Sequence, residues 1–189
     1  APISFQYPLV ELLTALLFLA CVWRFGFGWK GFGALLLTSF LVAMSGIDLR
    51  TRLLPDQLTL PLMWLGFVAS IENLYVGQKS ALLGAMAGYL SLWSVYWLFK
   101  QLTGKEGMGY GDFKLLAALG AWTGLAGVLP TVLISSLVGA VVGSIWLLAQ
   151  GKDKATPIPF GPYLAIAGWI SFFWGKDLMG WYMRFAGLA

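Results

Sequence analysis

Long apolar stretches separated by short polar or glycine-containing segments dominate the chain from one end to the other. Each runs for about 17 to 21 residues, the length that an α-helix needs to cross a hydrocarbon layer of about 30 Å. No stretch has the alternation of apolar and polar residues that is typical of a membrane β-barrel strand. The pattern therefore predicts an all-α fold, a polytopic transmembrane helical bundle with about seven spans. The spans are expected near Leu9–Phe27, Phe32–Leu49, Leu58–Tyr75, Ala81–Phe99, Leu115–Val128, Pro130–Ala149 and Tyr163–Met179, of which the fifth is short and interrupted by glycine.

Composition supports the same class of protein. Hydrophobic residues make up 59% of the chain and charged residues 11%, and the mean hydropathy is +0.81, as expected for one membrane-embedded domain over residues 1–189. The absence of His and the presence of a single cysteine, Cys21, exclude Ser-His-Asp and Cys-His catalysis, His-ligated metal sites and an intrachain disulfide. Carboxylates are thus the leading candidates for chemistry, and we expect no metal and no cofactor.

The basic residues predict an orientation in the membrane. With an odd number of spans, the loops Arg50–Gln57, Lys100–Lys114 and Gln150–Pro162 share one face and carry about seven basic residues, against about five on the other face. The positive-inside tendency makes the first face cytoplasmic. Because these residues are spread over loops rather than clustered in a stripe, we expect no nucleic-acid partner.

Asp48 follows almost uninterrupted apolar residues at the end of the second span. An acid at this depth usually faces a bundle interior or a water-filled cavity, which makes it a candidate functional residue. The alternative is a helix-end acid paired with Arg50 or Arg52. Asp56 follows Pro55 in a polar loop, and we expect it to be the N-cap of the third span.

Asp112 follows the glycine-rich run "GMGYG". Glycines permit close backbone approach, so a peptide substrate could lie against this segment without meeting a β-carbon. The alternative is a flexible loop that ends with Asp112 as the N-cap of the fifth span. The spacing alone favours neither interpretation.

The two acids together suggest a chemistry. Asp48 and Asp112 lie at the mouths of spans on the same predicted face, and two carboxyl groups brought close share a proton, which leaves one as base and the other as acid. Such a dyad could hydrolyse an amide without His, Cys or metal. A proton-coupled transporter that uses the same acids as a relay stays open as an alternative.

Two segments have the small-xxx-small spacing of close helix packing, Gly84–Gly88 and Gly139–Gly143. Such spacing lets helix backbones approach closely in lipid. We interpret both as internal packing rather than as a dimer interface.

Three motifs resemble those of the type IV prepilin leader peptidases, bacterial membrane aspartyl proteases of the GxGD class. They are "IDLRTRLLPDQLTLP" at Ile47–Pro61, "GMGYGDFKLLAALGAWTG" at Gly107–Gly124 and "PIPFGPYLA" at Pro157–Ala165. The resemblance implies catalysis by Asp48 and Asp112, an active-site segment that includes Gly109 and Gly111 as candidate substrate-binding residues, and a "PFGP" stretch near the site.

The resemblance also implies a substrate and a location. Family members remove the short basic leader of type IV prepilins and type II secretion pseudopilins at the cytoplasmic face of the bacterial inner membrane, so leader peptides and the lipid bilayer are the expected partners. Many members also N-methylate the product and carry a Cys-rich segment with paired CxxC motifs. This sequence has no CxxC, so a truncated or shortened form is expected, with methylation reserved for a full-length form. A preflagellin-type peptidase is a further alternative.

Overall fold

Seven α-helices make up the regular structure of the protein in a computed structural model, which describes residues 6–104, 107–150 and 159–187. Within these ranges there is no β-strand. The helices are α1 (Gln6–Phe25), α2 (Trp29–Thr51), α3 (Asp56–Ile71), α4 (Gln78–Thr103), α5 (Tyr110–Thr123), α6 (Leu125–Gln150) and α7 (Gly161–Phe185). The predicted all-α helical class is confirmed. By length and composition, α1, α2, α4 and α6 are the 4 described helices able to cross a membrane.

The prediction for the fifth element was wrong at both ends. The helix α5 begins at Tyr110, inside the segment expected to be a loop, and ends at Thr123. Gly124 follows with φ +70°, a left-handed conformation that glycine adopts without steric cost, and its N–H donates to the carbonyl of Gly120 at 2.8 Å. Leu125 then begins α6, so Pro130 lies inside that helix rather than at its start.

The central element of the bundle is α5. It packs against α3, α4, α6 and α7, and its side chains from Leu115 to Trp122 are buried without a break. A helix buried on all sides shows no amphipathic stripe, which explains why the apolar sequence of α5 predicts a membrane span. The position of α5 places its first turn, with Asp112, inside the bundle rather than at its rim.

Glycines bring α4 against α5. A β-carbon at Gly84 would lie 2.3 Å from the carbonyl oxygen of Gly120, and one at Gly120 would lie 2.2 Å from the carbonyl oxygen of Gly84. One helical turn further on, a β-carbon at Gly88 would lie 2.5 Å from the carbonyl oxygen of Leu116. The predicted packing role of the Gly84–Gly88 segment is confirmed, because only glycine permits these backbone distances.

The helix α1 has a different surface from α5. It packs against α2 through the buried residue Cys21, whose Sγ lies 3.2 Å from Oγ1 of Thr38, while Trp169 of α7 donates to the same Oγ1 at 3.1 Å. Elsewhere α1 exposes large apolar side chains such as Leu12 and Leu19, which are 63% and 66% exposed. That surface is the one expected of a helix that faces lipid.

Candidate active site

Asp48 and Asp112 are the two buried carboxylates among the described residues, 4% and 7% exposed. Asp48 lies in the last turn of α2 and Asp112 in the first turn of α5, so the antiparallel course of the two helices brings both acids to one end of the bundle. They are 64 positions apart in sequence. Burial and, second to it, the charge of Asp48 raise the pKa of Asp112, so the two carboxyl groups interact electrostatically.

A backbone amide of α7 holds the carboxyl group of Asp48. The N–H of Gly161, the first residue of that helix, donates to Oδ2 of Asp48 at 3.0 Å. A helix N-terminus offers unpaired N–H groups and a positive dipole end, both of which favour the ionised form of an acid placed there. The expectation that the "PFGP" stretch lies near the site is confirmed at Gly161.

The alternative role of Asp48, an ion pair with Arg50 or Arg52, is wrong. Within the described chain no ion pair joins Asp48 to either arginine. Arg52 instead has a left-handed backbone (φ 56°), and its N–H donates to the carbonyl of Asp48 at 2.8 Å to end α2. The carboxyl group is left to face Gly161.

Asp112 lies two residues after the start of α5 and does not cap it, because the N-cap position belongs to Gly109. The helix α5 is not one of the four that could cross a membrane. Burial of Asp112, assisted by the nearby charge of Asp48 and opposed by a hydrogen bond from the backbone of Gly109, raises the pKa of Asp112 to about 7. The site thus holds one acid that is readily protonated near neutral pH.

Leu54, in the loop after α2, packs against both α5 and α7. A β-carbon at Gly111 would lie 2.7 Å from Cβ of Leu54, and one at Gly161 would lie 3.2 Å from its Cδ1 and 2.7 Å from Oδ2 of Asp48. The absence of side chains at Gly111 and Gly161 is therefore what lets α5 and α7 close around Leu54 and Asp48. Sequence reasoning missed Leu54, since a leucine in a loop carries no local signal of this contact.

Gly109 has different surroundings from Gly111. The nearest atom to a β-carbon at Gly109 would be Oδ2 of Asp112, at 3.8 Å, so space beside the acid stays open there. The structure thus gives Gly111 a packing contact within the chain, while Gly109 borders free volume next to Asp112. A role of either glycine in binding substrate remains a prediction.

The sequence of the chain matches the model of a protein family. The model of the type IV leader peptidase family matches residues 35–144, a range that contains both Asp48 and Asp112 but not Gly161. The chain belongs to the type IV leader peptidase family.

Individual relatives are close in sequence and carry one name, "Prepilin leader peptidase/N-methyltransferase". The relative from Xanthomonas campestris is 76% identical over 99% of the chain, that from Pseudomonas aeruginosa 58% over 99%, and that from Stutzerimonas stutzeri 57% over 100%. The chain spans 65%, 64% and 65% of the length of these three relatives, respectively. No solved structure matches the chain.

Asp56 does not cap α3, the role that the sequence predicted for it. It is the first residue of α3 rather than its N-cap, which is Pro55, and its side chain makes no capping bond. Its two carboxylate oxygens accept hydrogen bonds from Nζ of Lys114 at 2.7 and 2.8 Å. This ion pair ties the start of α3 to α5 two residues beyond Asp112.

A half-exposed aromatic residue begins the helix that carries Asp112. Tyr110, the first residue of α5, is 50% exposed, and its ring centroid lies 5.4 Å from that of Tyr96 and 5.5 Å from that of Phe113. Sequence reasoning assigned it no role, although its position inside the "GYGD" motif was a signal.

Part of the face predicted to be cytoplasmic lies outside the described residues. Its lysines Lys105, Lys152 and Lys154 do, as do their acidic neighbours Glu106 and Asp153. The first two residues of the "PIPFGPYLA" motif are also outside. The described basic residues Arg50, Arg52, Lys100 and Lys114 lie on the helix ends nearest the acids.

Proposed function

We propose that this chain is an aspartyl endopeptidase that removes the short basic leader from type IV prepilins and type II secretion pseudopilins. The observation that carries the proposal is the pair of buried acids, Asp48 and Asp112, at one end of the bundle in a member of the type IV leader peptidase family. The relatives' shared name supports the same activity. Of the two activities in that name, the acid pair supplies the chemistry of hydrolysis.

The surroundings of the acids suggest separate roles. Both acids are buried, but the Gly161 N–H at the start of α7 stabilises the carboxylate form of Asp48, whereas the charge of Asp48 adds to the burial that favours the neutral form of Asp112. Asp48 then acts as the general base and Asp112 as the general acid. Asp48 accepts a proton from water as the water oxygen bonds to the scissile carbonyl carbon; Asp112 gives its proton to the leaving nitrogen as the C–N bond breaks. A proton passing from Asp48 to Asp112 restores the starting state.

The free volume beside Gly109 suggests where substrate lies. An extended peptide running past Gly109 would approach Asp112 without meeting a β-carbon, and the half-exposed ring of Tyr110 would form one side of the path. Gly111 supports this arrangement indirectly, since its contact with Leu54 sets the position of the first turn of α5.

The site faces the cytoplasm of the bacterial inner membrane in this proposal. The helix ends nearest the acids carry Arg50, Arg52, Lys100 and Lys114, in agreement with the positive-inside tendency. The N-terminal leader of a prepilin, itself basic, would be met on that face.

The deciding experiment is cleavage of a prepilin by membranes that contain the protein. Asp48→Asn and Asp112→Asn should each lower the rate at least about a hundredfold, the range expected for loss of a general acid or base, with unchanged membrane insertion. Asp56→Asn, which removes an exposed acid, is the matched control. Normal cleavage by either buried-acid variant, proton flux without cleavage, or cleavage of preflagellins in preference to prepilins would reject the proposal.

A further inference from the structure

A cavity opens at the end of the bundle that lies away from the two acids. It has a volume of about 490 Å³, and Lys30, near the start of α2, is part of its lining. Along α2, Lys30 and Asp48 are separated by about 27 Å at 1.5 Å of rise per residue, which is close to the thickness of a membrane's hydrocarbon core. We name this space the distal cavity, and the proposed peptidase chemistry does not use it.

The charged side chains of the distal cavity favour an anion. Its described lining includes three cations, Arg24, Lys30 and Lys176, and one carboxylate, Asp177. The cations come from three different helices, α1, α2 and α7, so their convergence depends on the tertiary fold. Taken together, these four groups leave an excess of positive charge in the cavity, which attracts an anion.

Helix ends of both kinds surround the distal cavity. The first turns of α2, α4 and α6 reach the cavity, represented by Lys30, Ser80 and Ala126. In α2 and α4 the N-cap residue is glycine and makes no side-chain capping bond. The last turns of α1 and α5 reach it as well, represented by Phe25 and Thr123, so the helix ends around the cavity carry partial charges of both signs. The excess of positive charge in the cavity therefore comes from its side chains.

One residue of the cavity lining has a buried hydroxyl without a hydrogen-bond partner. Ser171 of α7 lines the cavity, is 3% exposed, and its Oγ is the one buried side-chain polar atom among the described residues that has no hydrogen-bond partner. Buried polar atoms are nearly always satisfied by protein, water or ligand. An oxygen of a bound anion would accept the hydrogen bond that Ser171 has available.

The inner wall of the cavity is aromatic. The ring centroid of Tyr75 lies 4.7 Å from that of Phe172 and 5.6 Å from that of Trp122, and all three residues line the space. The hydroxyl of Tyr75 donates to the carbonyl of Lys30, which fixes the ring against the start of α2. A charged rim above an apolar wall suits an amphiphile with an anionic head better than a small inorganic ion.

We propose that the distal cavity is a binding site for a phosphate-bearing anion. Arg24, Lys30 and Lys176 pair with the phosphate oxygens, and Ser171 donates a hydrogen bond to the same ligand. The phosphate could be carried by an anionic phospholipid or be free in solution, and these two sources share the chemistry that the cavity recognises.

The test is a titration of the detergent-solubilised protein, followed by its thermal unfolding midpoint. The probes are dioctanoyl-phosphatidylglycerol, dioctanoyl-phosphatidylcholine and inorganic phosphate. A saturable rise in Tm with phosphatidylglycerol alone supports the proposal with a lipid source, and one with inorganic phosphate supports it with a free anion. No rise with either anion, or an equal rise with the zwitterionic phosphatidylcholine, overturns it.

Two lysines at equivalent helix positions provide a matched pair of variants. Lys30 and Lys79 are each the second residue of a helix at this end of the bundle, but only Lys30 lines the distal cavity. Lys30→Gln should weaken binding about tenfold, the loss expected for one charge-assisted hydrogen bond, while Lys79→Gln should change it less than about twofold. If Lys30→Gln does not fold, Lys176→Gln takes its place, and equal weakening by Lys79→Gln and the cavity variant contradicts the proposal.

Ser171→Ala separates a ligand contact from a purely structural role. Without ligand, the variant should be at least as stable as the parent protein, because a buried hydroxyl without a partner is removed. In the presence of the anion that binds, its affinity should fall about fivefold or more, the loss of roughly one hydrogen bond. Unchanged affinity in Ser171→Ala would overturn the assignment of Ser171 to the ligand.

Discussion

The backbone N–H of Gly161 donates a 3.0 Å hydrogen bond to Oδ2 of Asp48, across 113 positions of sequence. The contact joins the last turn of α2 to the first residue of α7 and holds the carboxyl group beside Leu54. It is also tight, because Gly161 has no room for a side chain. The orientation of one acid of the pair thus depends on a residue that belongs to another helix.

Gly161→Ala should impair cleavage strongly while leaving the fold intact. The added β-carbon would lie 2.7 Å from Oδ2 of Asp48, so the carboxyl group or α7 must shift. Since small misplacements of catalytic groups can cost about a hundredfold in rate, we expect a loss of about ten- to a hundredfold in prepilin cleavage. Gly180→Ala, on the same helix with nothing within 4 Å, is the control and should cleave normally. Equal activity of the two variants would remove Gly161 from the site.

The pH dependence of cleavage should show the protonation of Asp112. Its pKa is raised to about 7, first by burial and then by the charge of Asp48. In its proposed role as general acid Asp112 must be protonated, so kcat/KM should fall as pH rises through about 7, by about tenfold per unit once Asp112 is ionised. A pH–rate profile that is flat from pH 6 to 9 would contradict this role.

The raised pKa of Asp112 also predicts how the stability of the protein depends on pH. In the unfolded chain an aspartate releases its proton near pH 4, whereas in the folded protein Asp112 keeps it up to about 7. Stability from this group is therefore fully present below about pH 4 and is lost as pH rises toward about 7. Thermal midpoints of the parent protein should fall over this interval relative to those of Asp112→Asn, which cannot ionise. Parallel curves for the two proteins would show that Asp112 has an ordinary pKa.

The ion pair between Asp56 and Lys114 should contribute little to either chemistry or stability. Its side chains are 54% and 30% exposed, and exposed pairs typically contribute about 0–1 kcal/mol. A double-mutant cycle with Asp56→Asn and Lys114→Gln, measured by unfolding, should give a coupling energy in that range. Prepilin cleavage by Asp56→Asn should stay within about threefold of the parent rate, because loss of a catalytic acid would cost about a hundredfold or more.

The contact between α4 and α5 should tolerate no added carbon. A β-carbon at Gly84 or at Gly120 would meet backbone at 2.3 or 2.2 Å, and backbone atoms cannot rotate away. We expect Gly120→Ala to lower the free energy of unfolding by about 1–3 kcal/mol, the usual cost of overpacking, as measured by denaturant titration in detergent. Gly46→Ala in α2, which has nothing within 4 Å, should be close to neutral. A neutral Gly120→Ala would show that the helices separate easily.

The sequence by itself determined the features that depend on local pattern. Long apolar stretches specify helices whatever their neighbours, because every backbone polar group in an apolar environment must be paired within its own segment. The spacing of Gly84 and Gly88 likewise predicted close packing between helices. Because the chain has no His, Asp48 and Asp112 were the candidates for chemistry. Each of these inferences needs only residue type and spacing along one stretch.

Only the tertiary structure decided which groups meet. Asp56 bonds to Lys114 instead of capping α3, α5 lies buried at the centre, and Gly161 and Leu54 pack around Asp48. These contacts join residues from different helices, and they depend on how the helices are arranged in the bundle rather than on any local periodicity. A carboxyl group's partner is set by what the folded chain brings within about 3 Å, which no single stretch of sequence records.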